Sequence, residues 1–224
     1  MSWFKRRSRA KNESAQPRDA APALSDETQN SDKSANEDSQ PRSRKRGPWD
    51  VADVPEREGR IDLGAIWLPT RPGMELRFEA DSKTKKIISV TVRYLGSQLQ
   101  ISAFAAPRSE GIWEEIRTDL GTSITKQGGS IEQMRGPFGQ EILARIPART
   151  KEGRTGHRAM RFFGVDGPRW FLRGVVSGKA AIDTATAAEL ESIFADVVVI
   201  RGSEARAPRD LLEIVPGEAV RAQF

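Results

Sequence analysis

The chain has 224 residues, of which 37% are apolar and 30% charged. No run approaches the ~18–20 apolar residues of a spanning helix, which excludes a transmembrane-helix protein. There is no cysteine and a single histidine, so disulfide frameworks, thiol catalysis, thiolate zinc sites and histidine-rich metal centres are excluded as well.

Residues 1–46 hold eleven Lys/Arg and seven acids, which places +4 of the net +5 in this segment and leaves the rest near neutrality. From 8 to 43 there is one Leu and no Val, Ile or aromatic residue. Such a stretch cannot bury enough apolar surface to offset a chain entropy of roughly 1–2 kcal/mol per residue. The expectation is a disordered charged tail, basic at 5–11, acidic at 26–38 and basic again at 42–46. Trp3 and Phe4 beside Lys5, Arg6 and Arg7 offer a weak, salt-sensitive contact with an anionic membrane surface or nucleic acid. No apolar signal core follows Met1, so the expected location is cytoplasmic.

Residues 47–216 read as a single α+β domain, with 217–224 a flexible end. Trp49, Val51 and Val54 form an arm at its edge. Ile61, Leu63, Ala65 and Trp67 alternate with polar neighbours, as do Met74, Leu76, Phe78 and Ala80. The same holds for Ile88, Val90, Val92 and Tyr94, and for Leu99, Ile101 and Ala103. This period of two predicts four strands in an antiparallel meander. The period then changes: Ile112, Trp113, Ile116, Leu120 and Ile124 share a helical face, with Ser109 as the expected cap and Gly128-Gly129 as the stop. Strands are expected around 131–134 and 141–146. Two more, 158–165 and 170–176, flank Asp166-Gly167 as a hairpin turn. Asp183 or Thr184 caps a second helix with Ala187, Leu190, Ile193 and Phe194 on its apolar face. Residues 197–201 read as a strand or a helix end, and the remainder as an irregular arm. The sum is an antiparallel sheet of six to eight strands with two packed helices.

Chemistry is sparse. The glycines of Gly164-Val165-Asp166-Gly167 precede aromatic strand sequence, whereas a phosphate loop opens a helix. His157 stands in a polar loop without a serine motif. Glu114 and Glu115 suit the first turn of a helix, where acids meet the positive end of the dipole. Asp and Glu are scattered without metal-ligand spacing. No catalytic residue, metal or cofactor is assigned. The distinctive feature is the hairpin, which carries Arg158, Arg161, Arg169, Phe171 and Arg173. Strand parity puts Arg169, Phe171 and Arg173 in one outward row, opposite Trp170 and Leu172. A guanidinium–aromatic–guanidinium row suits an acidic protein partner first and nucleic acid second.

Gly47-Pro48-Trp49-Asp50-Val51, Ala103-Phe104-Ala105-Ala106-Pro107-Arg108-Ser109 before Gly111-Ile112-Trp113, and the run from Gly164 to Gly174 together resemble an uncharacterised actinobacterial family, domain-of-unknown-function family 3710. The resemblance covers about residues 47–216. It implies no established reaction and no assigned site residues, and it hints at nucleotide or nucleic-acid metabolism through family genes that neighbour a dUTPase gene. At the level of element order the chain also resembles the Mog1/PsbP-like sandwich, which implies a binding or assembly factor. The expected function is therefore a non-enzymatic cytoplasmic binding or assembly module. The alternatives are a nucleic-acid or nucleotide-associated factor using the hairpin, and an enzyme of unknown reaction.

Overall fold

The computed structural model describes residues 46–108, 111–149, 153 and 155–221. The expected tail, save Arg46, lies outside the described residues. The strands are β1 (Trp49–Asp50), β2 (Ile61–Asp62), β3 (Ile66–Leu68), β4 (Glu75–Ala80), β5 (Ile87–Tyr94), β6 (Ser97–Ala105), β7 (Ser130–Gly136), β8 (Gly139–Arg149), β9 (Thr155–Gly167), β10 (Trp170–Gly178) and β11 (Val198–Val199). The helices are α1 (Trp113–Lys126), α2 (Thr184–Ala195) and α3 (Glu218–Arg221). The fold is α+β, as the strand runs predict.

A seven-stranded antiparallel sheet has the order β4-β5-β6-β10-β9-β8-β7. Two meanders, β4–β6 and β7–β10, meet where β10 pairs with β6. The connection between them carries α1. Central strands rich in Val, Ile and Leu are buried across the sheet, since they have paired strands on both sides and neighbours on both faces. On one face Val90, Ile101, Leu172 and Phe163 join Leu190, Ile193 and Phe194 of α2 in the main apolar cluster. On the other, Ile142, Phe162 and Phe171 join Trp113 and Ile124 of α1, and Ile112 just before it, in a second cluster.

The segment 61–67 departs from its expected place. It belongs to a separate four-stranded sheet of order β1-β11-β3-β2, and not to the meander. Gly64 has φ +76°, and Leu63 and Ile66 bond across the tight turn. The reversal shifts the parity, so Leu63, Ala65, Ile66 and Leu68 are buried while Trp67 is only half-buried. Residues 197–201 resolve to the strand β11. The C-terminal arm is irregular but pinned: Arg209 and Leu212 donate backbone N–H groups to Ala105 and Ala103, and Val215 donates to Leu63. Leu212 and Ile214 are thereby buried.

Both helix ends have identifiable chemistry. Asp183 caps α2, its carboxylate accepting from Thr186 N at 2.8 Å and Oγ1 at 2.6 Å. These bonds hold the Asp183 carboxyl below its usual range. At the end of α1, Gly128 sits at φ +80° and donates to Thr125 O, while Gly129 donates to Ile124 O. This is the paired bonding of a Schellman stop. The buried stripe of α1 is Trp113, Arg117, Gly121 and Ile124, which leaves Ile116 and Leu120 half-buried beside it. Arg117 claims an inward position because its Nη1 donates to Gln133 Oε1 at 2.8 Å and its Nη2 pairs with Glu114.

This difference is measurable by urea unfolding. Leu190→Ala, at a fully buried position, is expected to cost about 2–5 kcal/mol. Leu120→Ala, at the half-buried rim of α1, is expected to cost about 1 kcal/mol. Equal losses would contradict the register of α1 on the sheet.

Candidate functional site

The structure divides the five hairpin residues among separate environments. Strand parity holds: Phe171 and Arg173 point to the α1 face, and Trp170 and Leu172 to the α2 face. The expected open row does not form, because α1 lies across part of it. Phe171 is 0% exposed, with the Trp113 ring stacked on it at 5.8 Å and Phe104 at 5.9 Å. Gly164 makes room for this contact. A Cβ there would stand 2.8 Å from Trp113 Cδ2 and overlap the Phe171 ring.

Asp166 fixes the position of α1. Ser109, the expected cap, lies outside the described residues. The carboxylate of Asp166 accepts from the backbone N–H of Ile112 at 2.8 Å and of Trp113 at 3.3 Å. An anion thus meets the orphan amides of the helix start, supplied from a strand over 50 residues downstream. Trp113 Nε1 completes the anchor by donating to Gln140 O at 2.7 Å. The glycine-rich hairpin that superficially suggests a phosphate loop therefore seats a helix. Its turn lies two residues beyond the expected place, at Pro168-Arg169, since Gly167 pairs with Trp170. Arg169 occupies the left-handed region at φ +62°, so it belongs to the turn and not to the outward row.

Arg161 points the other way, towards α2, and is 6% exposed. Its Nε donates to Glu141 Oε2 at 2.6 Å and its Nη2 to Glu191 Oε1 of α2. Its guanidinium also lies 5.5 Å from the Phe163 ring centre. Glu141 is 0% exposed, and its Oε1 has no hydrogen-bond partner. Burial pushes this carboxyl above its usual range, and the attraction of Arg161 opposes that only in part. Two carboxylates share one guanidinium in a triad that strand reading missed. The available signal was that Arg161 shares parity with buried Phe163 and Val165, so it required an acid inside.

Arg173 stands on the α1 face, on the half that α1 does not reach. Cross-strand pairing places Glu79 beside Ser89 and Arg173 beside Ser102 and Gly164. Gln100 Nε2 donates to Glu79 Oε2 at 2.7 Å, and Ser89 Oγ donates to the same oxygen at 3.1 Å. Arg173 lies 5.3 Å from the Phe104 ring centre. The residue is half-buried, it makes no ion pair among the described residues, and its Nε is buried without a hydrogen-bond partner. Burial pulls the guanidinium below its usual range, with the charge of Glu79 opposing. Thr91 Oγ1, also buried without a partner, belongs to the same face.

Arg158 is exposed at the far end of β9, opposite Ile146, with its Nη2 3.6 Å from Met160 Sδ. His157 is exposed opposite Pro147. Glu114 and Glu115 turn to Arg117 and Arg209 respectively and do not converge. Among the described residues no group of three or more His, Asp or Glu side chains could hold a metal ion. No described helix is long and apolar enough to cross a membrane.

Comparison with known proteins gives one family match, over residues 47–223, to "Protein of unknown function (DUF3710)". No curated protein matches. Among solved structures, a crystal structure from Bacteroides thetaiotaomicron VPI-5482 aligns with 65% of this chain at 16% identity and a TM-score of 0.37. The alignment spans 49% of that chain, about half its length. The solution structure of cyanobacterial PsbP (CyanoP) from Synechocystis sp. PCC 6803 aligns with 61% of this chain and 88% of its own, at 8% identity and a TM-score of 0.35.

Two measurements test this geometry. Asp166→Ala is expected to cost about 0.5–2 kcal/mol, the value of a helix cap, in urea unfolding. In the triad the two partners are not equivalent. Arg161→Met leaves two carboxylates facing each other and should cost about 3–5 kcal/mol. Glu141→Gln leaves one acid for one guanidinium and should be far milder at neutral pH. A carboxyl whose folded-state pKa is raised gives stability that is complete below its unfolded value and is lost as pH rises through the folded one. Unfolding free energies measured from pH 4.5 upward should therefore fall less steeply in Glu141→Gln than in the wild type.

Proposed function

We propose that this chain, which belongs to the DUF3710 family, is a cytoplasmic binding or assembly module that presents Arg173 to an acidic protein partner. The observation that carries this reading is the state of that guanidinium. A buried charge is ordinarily paired, because desolvation costs several kcal/mol and a counter-charge offsets it. Arg161, on the opposite face of the same sheet, follows this rule with two carboxylates. Arg173, half-buried with a fully covered Nε, does not: its neighbours among the described residues are the Phe104 ring, Ser102 and a glutamate already bonded to Ser89 and Gln100. A carboxylate brought by a partner would supply the missing acceptor in fork geometry.

The surrounding half-face suits a polypeptide. Gln98, Arg93 and Arg77 edge it with polar groups, and Phe104 offers a half-buried ring. The wall of α1, held by Asp166, bounds it on one side. This reading moves the centre of the surface from the expected Arg169–Phe171–Arg173 row to Arg173 with Phe104. Nucleic acid stays the second reading, and the half-buried Phe104 ring beside a guanidinium is the feature that favours it.

The test uses the full chain and a synthetic Glu-rich peptide, with the backbone amide resonance of Ser102, opposite Arg173, as the probe. The peptide should shift that resonance in a saturable, salt-sensitive manner. Arg173→Met should abolish the response while leaving stability unchanged or higher, as expected when a half-buried guanidinium with a covered, unbonded Nε is replaced by an apolar chain. A variant that is destabilised, with peptide binding intact, would mean that Arg173 serves the fold alone. Binding of single-stranded nucleic acid in place of the peptide would transfer the site to the second reading.

A further inference from the structure

We infer that Arg169, Arg201 and Arg206 form a second site, for a phosphate monoester dianion, at the corner where the β9–β10 turn meets the loop after β11. This inference is independent of the reading at Arg173, which lies on the sheet face.

Three guanidinium groups are gathered here, two of them, Arg201 and Arg169, by backbone carbonyls and the third, Arg206, by Glu204. Arg201 Nε donates to Arg169 O at 3.0 Å and its Nη1 to Glu204 O at 3.0 Å. Arg169 Nη2 donates to Gly202 O at 3.3 Å. Glu204 pairs with Arg206 at 2.8 Å, and Arg206 also lines a cleft with Asp81, Glu213, Lys83 and Lys86. Arg169, Arg201 and Arg206 against Glu204 leave a charge of +2, and the two acids and two lysines of the cleft cancel. The proximity is unfavourable in itself: burial and the charges of Arg169 and Arg206 all pull the Arg201 guanidinium below its usual range. Neighbouring Arg209 is not part of the group, because it turns to Glu115 and Asp119 of α1.

The backbone is committed to this arrangement. Arg169 follows Pro168 in a two-residue turn, at the position that requires positive φ and ordinarily takes glycine. A long cationic side chain there at φ +62° is a strained choice. The strain is held by the Arg169 carbonyl, which accepts from both Ala106 N at 2.9 Å and Arg201 Nε. Each guanidinium keeps N–H groups that these bonds do not use, and Arg forks match phosphate oxygens. A charge of +2 is matched by a dianion more fully than by a single carboxylate, which distinguishes this site from that at Arg173.

The experiment titrates the full chain with inorganic phosphate against chloride at constant ionic strength, reading the Nε–H resonances of Arg201 and Arg206. A second arm measures co-sedimentation with phosphatidylcholine vesicles with and without phosphatidic acid. Saturable shifts are expected in the wild type and in Arg209→Gln. Arg206→Gln should weaken them at least about tenfold, the loss of one charge-assisted contact. Arg169→Gly suits the turn, so its unfolding midpoint should hold while the response to phosphate is lost. Vesicle binding that needs phosphatidic acid and falls in the same variants assigns the phosphate to a lipid headgroup. Shifts with inorganic phosphate but no vesicle binding assign it to a soluble monoester. A wild type without saturable shifts, or Arg169→Gly and Arg206→Gln titrating as the wild type does, would overturn the site.

Discussion

The carboxylate of Asp166 bonds the first amides of α1, and much of the rest of the molecule is arranged around that contact. It ties a helix that follows β6 to a strand far downstream, across the seam where the two meanders meet. Trp113 is thereby laid on Phe171, with Gly164 leaving the gap it needs. The helix covers the β7–β8–β9 side of its face, and its first residue, Trp113, reaches β10 at Phe171. Which groups on this face are dry and which are open follows from that boundary. A capping carboxylate is worth only about 0.5–2 kcal/mol, but its direction decides where a whole helix lies.

The arginines then separate by what the low-dielectric interior demands of them. Arg161 is buried and is neutralised twice over, by Glu141 and Glu191. The surplus charge falls on Glu141, whose carboxyl burial pushes up. Arg173 is partly desolvated, rests over the Phe104 ring and feels the charge of Glu79 without a bonded ion pair among the described residues. Arg169 is drawn into a corner by carbonyl acceptors, with Arg201 and Arg206 beside it. One hairpin thus supplies the cation of a structural ion triad, a guanidinium without a bonded acid among the described residues, and one member of a cationic cluster. These are three different answers to one electrostatic cost.

Much of the architecture was legible in the residues. Period-two runs located β4, β5 and β6, and a change of period located α1. Asp183 and the face Ala187, Leu190, Ile193 and Phe194 are local signals, and the helix α2 conforms to them. The parity of Phe171 and Arg173 against Trp170 and Leu172 was correct, because alternation is a property of the extended backbone itself. Gly64 was where the same reasoning failed: one residue with positive φ reversed the chain and turned Trp67 away from the side that alternation assigned it.

What the sequence by itself determined is therefore what short-range geometry determines: where strands and helices run, where α2 is capped, which side chains share a face, and that the net positive charge belongs to residues 1–46. What only the tertiary structure decided is what each face meets. No local pattern states that α1 is capped by Asp166, that Phe171 lies under Trp113, or that Glu141 and Glu191 close on Arg161. Nor does any local pattern state that Arg201 and Arg206 join Arg169. Strand alternation gives the direction of a side chain, but its solvation depends on elements distant in sequence. The energy of a charge depends on that solvation far more than on its neighbours along the chain.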